Sequence, residues 1–516
     1  MTDEKRHTEQ QLLKQLRADR QPVVSTCMSF SLRYYSLLIL LLSTLLTSCV
    51  RAPRYQPPSV TAPTTWKNST DTTFAAPQTN PAPASAAAAE LPRQPTVPAW
   101  WSIFQDDELA RLEQQVLAAN YSLKAAVARV EQARANVTVV NSYRSPVVAL
   151  NPQAYRQRLS AYRPLPIAST NGPQAINQTQ FYLPLNVSYE VDVWGRLRRN
   201  VQAAEADEQA SEEDLRTVQL SLTADAAGYY FDLRGLDAEL LVLDSARQAR
   251  VESLQLTQAR NQAGVDNEIA MRRAETELAN VDAGIVEVRR QRAGLEAALA
   301  TLTGQPASQF ALVPRPGPLL IPRVPAAVPA SLLARRPDLR RTERQLAALN
   351  ARADAARLAR LPTVQLNGFV GPLSSALGDL PKVADSYAYY VGGGISIPIF
   401  NGGRLRANQQ IVERQYDEQA AQYRQTALVA FQEVETSLAN VQQSAAQLTV
   451  QQRALRSARL AGLLTKERYR AGLTSYFEVV DADRQTLEAA RLVVQNQANE
   501  LSYTVQLIRA LGGGWE

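Results

Sequence analysis

Two stretches of this chain answer one another at a fixed distance. Asp192-Val193-Trp194-Gly195-Arg196-Leu197-Arg198 corresponds to Phe400-Asn401-Gly402-Gly403-Arg404-Leu405-Arg406, and Arg260-Asn261-Gln262-Ala263-Gly264 corresponds to Arg468-Tyr469-Arg470-Ala471-Gly472. Gly195 to Gly403 and Gly264 to Gly472 are each 208 residues apart. A solenoid unit is about 20 to 50 residues, so this period reads as duplication of a whole half-domain. Whatever the chain folds into, it builds twice.

Each copy carries a long helical region. No proline lies between Pro184 and Pro306, and none follows Pro398. These regions are rich in Ala, Gln, Leu, Glu and Arg, with Leu236, Leu240 and Leu243, or Leu501, Val505, Ile508 and Leu511, at helical spacing. Gly264 and Gly472 divide each region into an arm of about 66 residues and one of about 40. At 1.5 Å per residue the longer arm would reach about 100 Å, which demands coiled-coil packing against neighbours.

In front of each long arm the texture changes. Residues 363–371 and 388–399, and in the first copy 147–162 and 181–191, partly alternate apolar with small or polar side chains and contain several tyrosines. Period two of this kind predicts strands with one face toward lipid and one toward water, one hairpin per copy. Gly195 and the pair Gly402 and Gly403 mark the strand-to-helix turns, where glycine admits backbone conformations closed to other residues. In Arg336-Pro337-Asp338, proline at an early helical position and an acid at the positive end predict a helix from 338 to 360. Four strands cannot close a barrel, and an open edge in lipid is untenable. Other chains must complete the sheet, and three chains would supply twelve strands.

The front of the chain carries an address. The run Leu37-Leu38-Ile39-Leu40-Leu41-Leu42 continues to Leu46, with Arg33 before it. It is short for a membrane span and has the layout of a secretory signal. Its ending, Leu46-Thr47-Ser48-Cys49, resembles the bacterial lipoprotein processing box, which implies a lipid on Cys49. Val50 in place of aspartate implies onward transport to the outer membrane. The polar leader with Asp3, Glu4, Glu9 and Asp19 is unusual for a signal, and Met28 offers an alternative start. Residues 50–100 hold ten of the 29 prolines and are expected to be an extended or disordered linker without specific contacts. The expected organisation is a leader and signal over 1–48, a lipidated linker over 49–99, a first repeat over 100–305, an inter-repeat linker over 306–337 and a second repeat over 338–516.

Composition excludes most chemistry. The one histidine, His7, and both cysteines, Cys27 and Cys49, precede the helical body. This leaves the body without His/Cys zinc sites or imidazole-based triads. Gly392-Gly393-Gly394 sits in a strand-like run and lacks the lysine of a phosphate loop. No basic arm interleaved with aromatics supports nucleic-acid binding, and three methionines make no thioether path for copper. The formal charge of +6 is small for 516 residues. The reading is therefore of a protein that is not an enzyme and needs no cofactor beyond its N-terminal lipid.

Five segments, in order, carry a family resemblance: Val187 to Arg196; Ala263-Gly264-Val265-Asp266 with a helix ending Leu302-Thr303-Gly304; Ala334 to Arg340; Ile397 to Gly403; and Ala510 to Trp515. Together they resemble the TolC-like outer membrane efflux proteins, in particular the lipoprotein branch that serves multidrug (RND-type) pumps. The resemblance implies a membrane α+β fold. A homotrimer would share a twelve-stranded outer-membrane barrel, continued by a periplasmic α-helical tunnel with a mixed equatorial region. It implies an exit duct in a Gram-negative outer membrane, fed by a periplasmic adaptor and a proton-driven inner-membrane transporter. The duct of a type I protein secretion system uses the same architecture, and a purely structural coiled-coil lipoprotein would have no use for the strands.

The resemblance also assigns a gate. Glu478 and Asp481 share a helix face just past the last tip turn, and a trimer would gather six carboxylates around one axis. By match, Phe477, Glu478 and Asp481 fall on the periplasmic constriction. Tyr469 and Thr474 fall where hydrogen bonds latch the inner helix pair to the outer pair. A ring of acids would attract cations and disfavour anions.

Overall fold

A computed structural model describes residues 55–60, 62–63, 65–67, 99–162, 174–315, 317, 321–322 and 335–513. Cys49, the signal segment and most of the linker lie outside the described residues. The chain divides into compact units of residues 1–56 and 57–516, and all the elements below belong to the second.

Helices α1 (Asp107–Ala119) and α2 (Tyr121–Ser142) lead into the first hairpin, and α3 (Arg196–Gln262) and α4 (Glu268–Leu302) follow it. The second half runs from α5 (Pro337–Leu358) through the second hairpin to α6 (Arg404–Arg470) and α7 (Tyr476–Ala510). The halves match in length: α3 and α6 have 67 residues each, α4 and α7 have 35, and α2 and α5 have 22. Among the described residues no helix is long and apolar enough to cross a membrane.

All the strands are antiparallel. They are β1 (Val147–Leu150), β2 (Gln153–Leu159), β3 (Ile176–Tyr182), β4 (Leu185–Val191), β5 (Thr363–Ser374) and β6 (Tyr387–Ser396). β1 and β2 are consecutive pieces of one strand, as are β3 and β4, because β1 pairs with β4 and β2 with β3. The sheet therefore has four strand positions, with β4 and β3 joined to β5 and β5 joined to β6. One correction concerns the first hairpin. Its returning strand begins at Ile176, ahead of the expected start at 181, because Gln153–Leu159 finds a full partner in Ile176–Tyr182. The two breaks face one another: Asn151 and Pro152 stand opposite Leu183 and Pro184, where proline cannot donate to the ladder, and Asn151 N–H donates to the Pro184 carbonyl at 3.2 Å. Gly371 makes this crossing possible, since a Cβ there would lie 2.1 Å from the Leu183 carbonyl oxygen.

The register separates two faces. Leu185, Val187, Tyr189 and Val191 stand opposite Val370, Gly368, Leu366 and Val364, while Ser188 and Glu190 stand opposite Asn367 and Gln365 on the other side. Leu185, Val187 and Leu366 are exposed, as are Val391 and Ile395 on β6. An apolar exposed face with a polar face behind it is the pattern of a barrel wall in lipid.

The main core lies where α1, the turn of 3-10 helix at Trp100–Phe104 and the stretch around Leu312 pack onto α3 and α7. Trp100, Phe104, Leu109, Leu112, Tyr230, Leu233, Leu501 and Ile508 meet there. A second core corrects the expected contact-free linker. Trp66 is buried against Phe431, Val434, Leu507 and Leu511, Val60 packs by Leu339 and Ala427, and Lys67 N–H donates to Glu435 at 2.7 Å. Burial of one large aromatic side chain offsets the ordering of a short extended strap.

Candidate functional site

The two helical hairpins end in identical turns. At Gly264 (φ 69°) Val265 N–H returns to the Arg260 carbonyl, and at Gly472 (φ 74°) Leu473 N–H returns to the Arg468 carbonyl, both at 2.9 Å. This is the six-to-one closure of a helix ended by a left-handed residue, and the positive φ selects glycine. At the other end of the long helices, Gly195 (φ 85°) and Gly403 (φ 83°) stand at the N-caps of α3 and α6, with Gly402 at φ 60° beside the second. Asp192 caps the first of these, its carboxylate accepting from Leu197 N–H at 3.0 Å and Arg198 N–H at 2.9 Å.

Next to the tip turns the hairpins are tied by side chains. The Tyr469 hydroxyl donates to the Asp266 carboxylate, which Arg260 also holds at 2.9 Å, and the Arg260 guanidinium lies 4.9 Å from the Tyr469 ring centroid. Tyr469 packs on Tyr476 with ring centroids 5.6 Å apart, in a small core with Ala270, Ala274, Val479 and Val480. Tyr476 pairs with Ser253 at 3.1 Å. Burial, and then the bond to Asp266, push the Tyr469 hydroxyl well above a tyrosine's ordinary pKa. It is a neutral donor at any ordinary pH.

A few turns from the tip lies a second tie. Arg250, only 3% exposed, reaches Asp483 at 2.6 Å and Glu277 at 4.0 Å. Lys466 reaches Asp483 at 3.1 Å, and Arg484 grips Glu277. These ion pairs join α3, α4, α6 and α7. Because Arg250 is nearly buried, its neutralising partners hold the hairpins in one arrangement: separating them would strand charge in a poorly solvated place.

The expected gate residues divide. Glu478 and Asp481 are exposed, without an ion pair among the described residues, and Asp481 accepts from Gln485 at 2.8 Å. Phe477 is 58% exposed, under the Arg273 guanidinium at 5.2 Å. The Thr474 hydroxyl oxygen is buried without a hydrogen-bond partner among the described residues. Of the two residues expected to latch the helix pairs, Tyr469 is hydrogen-bonded to Asp266 and the Thr474 hydroxyl is not bonded among the described residues, while Tyr476 is packed and its neighbour Phe477 is exposed. Sequence reading named Asp266 only within a motif and missed Arg250, Glu277, Asp483 and Arg484. Their acid and base types at equal heights on facing helices were the available signal.

The sequence pattern of outer membrane efflux proteins matches residues 112–305 and 328–513. The chain belongs to the outer membrane efflux protein family. It is similar to the pyoverdine export outer membrane protein OpmQ of Pseudomonas putida, 32% identical over 435 residues that cover 84% of this chain and 91% of that one. It is also similar to the toluene efflux pump outer membrane protein TtgI of Pseudomonas putida, at 34% over 416 residues, 80% of this chain and 86% of the other. Among solved structures, the outer-membrane channel OprN superposes with a TM-score of 0.77 at 29% identity, covering 90% of this chain and all of that one. CusC superposes at 0.75 and 26% identity over the same shares. The fold is that of the TolC-like channels, and the chain is an outer-membrane efflux channel extending into the periplasm.

Proposed function

We propose that this efflux channel works as a homotrimer: the exit duct of a tripartite pump, passing small molecules from a periplasmic adaptor and a proton-driven inner-membrane transporter to the outside. The observation that carries this reading is the sheet. Among the described residues its four strand positions end in an unpaired edge on either side, at β1 and β2 and at β6, while one face is apolar and exposed. Unpaired backbone groups in lipid cost several kcal/mol each, about the scale that makes closure by further copies obligatory. The long helix α6 supports the same conclusion, because Leu428, Leu460 and Leu464 are exposed on the flank turned away from α7. The duct does no chemistry of its own, and energy enters through the partners.

In this reading the organisation is a signal over 1–48, a linker over 49–99 lipidated at Cys49, repeats over 100–305 and 338–516, and a joining segment over 306–337. The tip turns face the adaptor. Val265 and Leu473, 62% and 69% exposed just past the two tip glycines, are apolar side chains suited to a partner's surface. Phe477, Glu478 and Asp481 line the closed aperture, and the Tyr469 and Arg250 ties hold it shut. Relatives named for pyoverdine, solvent and toluene favour small solutes over a protein cargo.

Mass spectrometry of the detergent-extracted protein, combined with conductance in planar bilayers, tests the proposal. The expected species is a trimer of chains that begin at lipidated Cys49, closed at rest. A stable conducting monomer, or a mature chain that keeps residues 28–48, would overturn the corresponding part.

A further inference from the structure

Between α6 and α7, bordering the equatorial core on its tip side, lies a groove of about 220 Å³ whose polar lining is almost entirely amide. Asn440, Gln443, Gln447 and Gln451 of α6 face Gln495 and Asn499 of α7, and none of the ten lining side chains is charged. The side-chain amides of Asn440, Gln443, Gln447 and Asn499 form no hydrogen bond among the described residues. The Gln451 carbonyl oxygen is buried without a partner. Only Gln495, bonded to Glu239 at 3.2 Å, and Asn496, bonded to the Ser444 carbonyl at 2.9 Å, serve the packing.

The groove lies on the side of both helices away from their apolar covering. Leu501 and Ile508, in the equatorial core, are two and nine residues beyond Asn499, roughly 200° and 180° round a helix of 3.6 residues per turn. Phe431 and Leu438, against the Trp66 strap, stand in the same angular relation to Asn440. In the proposed trimer, with the equatorial layer and the strap on the outside of the helices, the amides would face the tunnel axis. The α7 stripe they share carries Asp481 and Glu488 toward the tip, and Asp225, Asp232 and Arg509 line a separate cleft toward the equator. The groove is an uncharged belt between two charged zones.

We propose that this belt is a resting site for cargo in the channel wall, taking an uncharged solute that bears several hydroxyl groups and one apolar ring face. Each amide donates and accepts, so a hydroxyl finds a partner in either sense, while an ion would meet no counter-charge in place of its lost hydration. Tyr503 and Leu492, also in the lining, offer apolar surface to a ring. The volume suits a single ring with its substituents. The proposal rests on the conduit reading and adds to it a class of solute and a place.

The test uses the full-length trimer in detergent, with methyl β-glucoside as the probe entering from the barrel end. Saturation transfer from protein to the ring protons is expected. It should fall at least fivefold in the variant Gln443→Leu, Gln447→Leu, Asn499→Leu, verified as trimeric, and be weaker for glucosamine and glucuronate than for the neutral sugar. Equal transfer in parent and variant, or none in the parent, overturns the resting site. A separate Asn499→Cys trimer distinguishes the two failures. Labelling by a small maleimide but not by one carried on a large polyethylene glycol places the groove inside the tunnel. Equal labelling by both puts it outside, and the conduit reading of this face falls with the proposal.

Discussion

The hairpin of α3 and α4 and the hairpin of α6 and α7 have the same helix lengths and the same tip closure, yet they are held in different ways. α3 is buried along most of its length by α2, α5, α4 and α7. α6 is covered only along the flank shared with α5, α7 and the Trp66 strap, and toward the tip most of its side chains are exposed. The tips differ as well: Asn267 caps α4 by accepting from Ala270 N–H, whereas Ser475 gives α7 no side-chain cap. Equal backbones are thus unequally anchored within the protomer, and two side-chain ties between the hairpins, Arg250 with Asp483 and Tyr469 with Asp266, lie toward the tip.

The largest effect should come from the bare flank of α6. Leu460→Lys with Leu464→Lys places two cations where a neighbouring protomer is expected, and native mass spectrometry should find monomer in place of trimer. An intact trimer would show that this flank is not the contact between protomers and that α6 stays bare in the assembly. Next is the buried tie. Arg250→Ala leaves Asp483 and Glu277 facing a cavity, and breaking such a pair costs about 3 to 5 kcal/mol. Protease cleavage near the tip and bilayer conductance should both rise, while Arg250→Met should recover part of the loss.

Tyr469→Phe removes one hydrogen bond to a carboxylate, worth about 2 kcal/mol. It should raise the open probability without disturbing the trimer. The same latch can be weakened by base. The fold favours the neutral phenol, so its contribution is complete below the ordinary tyrosine pKa of 10.0 and is lost as pH climbs beyond it. Wild-type conductance should therefore increase above that pH, and Tyr469→Phe should flatten the rise. Glu478→Gln with Asp481→Asn should leave stability unchanged, both side chains being exposed, and should reduce cation over anion permeability. The smallest change is expected from Thr474→Val, within about 0.5 kcal/mol, because the hydroxyl it removes has no partner among the described residues. A large effect there would place its partner on a neighbouring chain.

Much of this is legible in the amino-acid sequence. The 208-residue offset, the glycines at 195, 264, 403 and 472 and the proline-free regions locate four long helices to within a few residues. Alternation around Tyr189 and Leu366 locates the sheet. The breaks at Pro152 and Pro184 were not legible, since a proline inside a strand reads as loop unless its opposite number is known. Nor was the Arg250 tie: a charged residue on a long helix is ordinarily solvated, and only the packing of four helices shows that Asp483 and Glu277 converge on it. Trp66 was overlooked amid proline, alanine and threonine, although a lone tryptophan in such a segment is itself a reason to expect an anchor.

The strap also measures a height. Val60 is fixed beside Ala427, and 23 residues of α6 lie between that point and Arg404, where the helix begins, a rise of about 35 Å. Eleven residues separate Val60 from Cys49, and fully extended they span about 36 to 40 Å. For a lipid on Cys49 that length is an upper limit on its distance from Val60, as a mooring line limits the drift of a float. Shortening the segment 50–59 would lower that limit, and lengthening it would raise it.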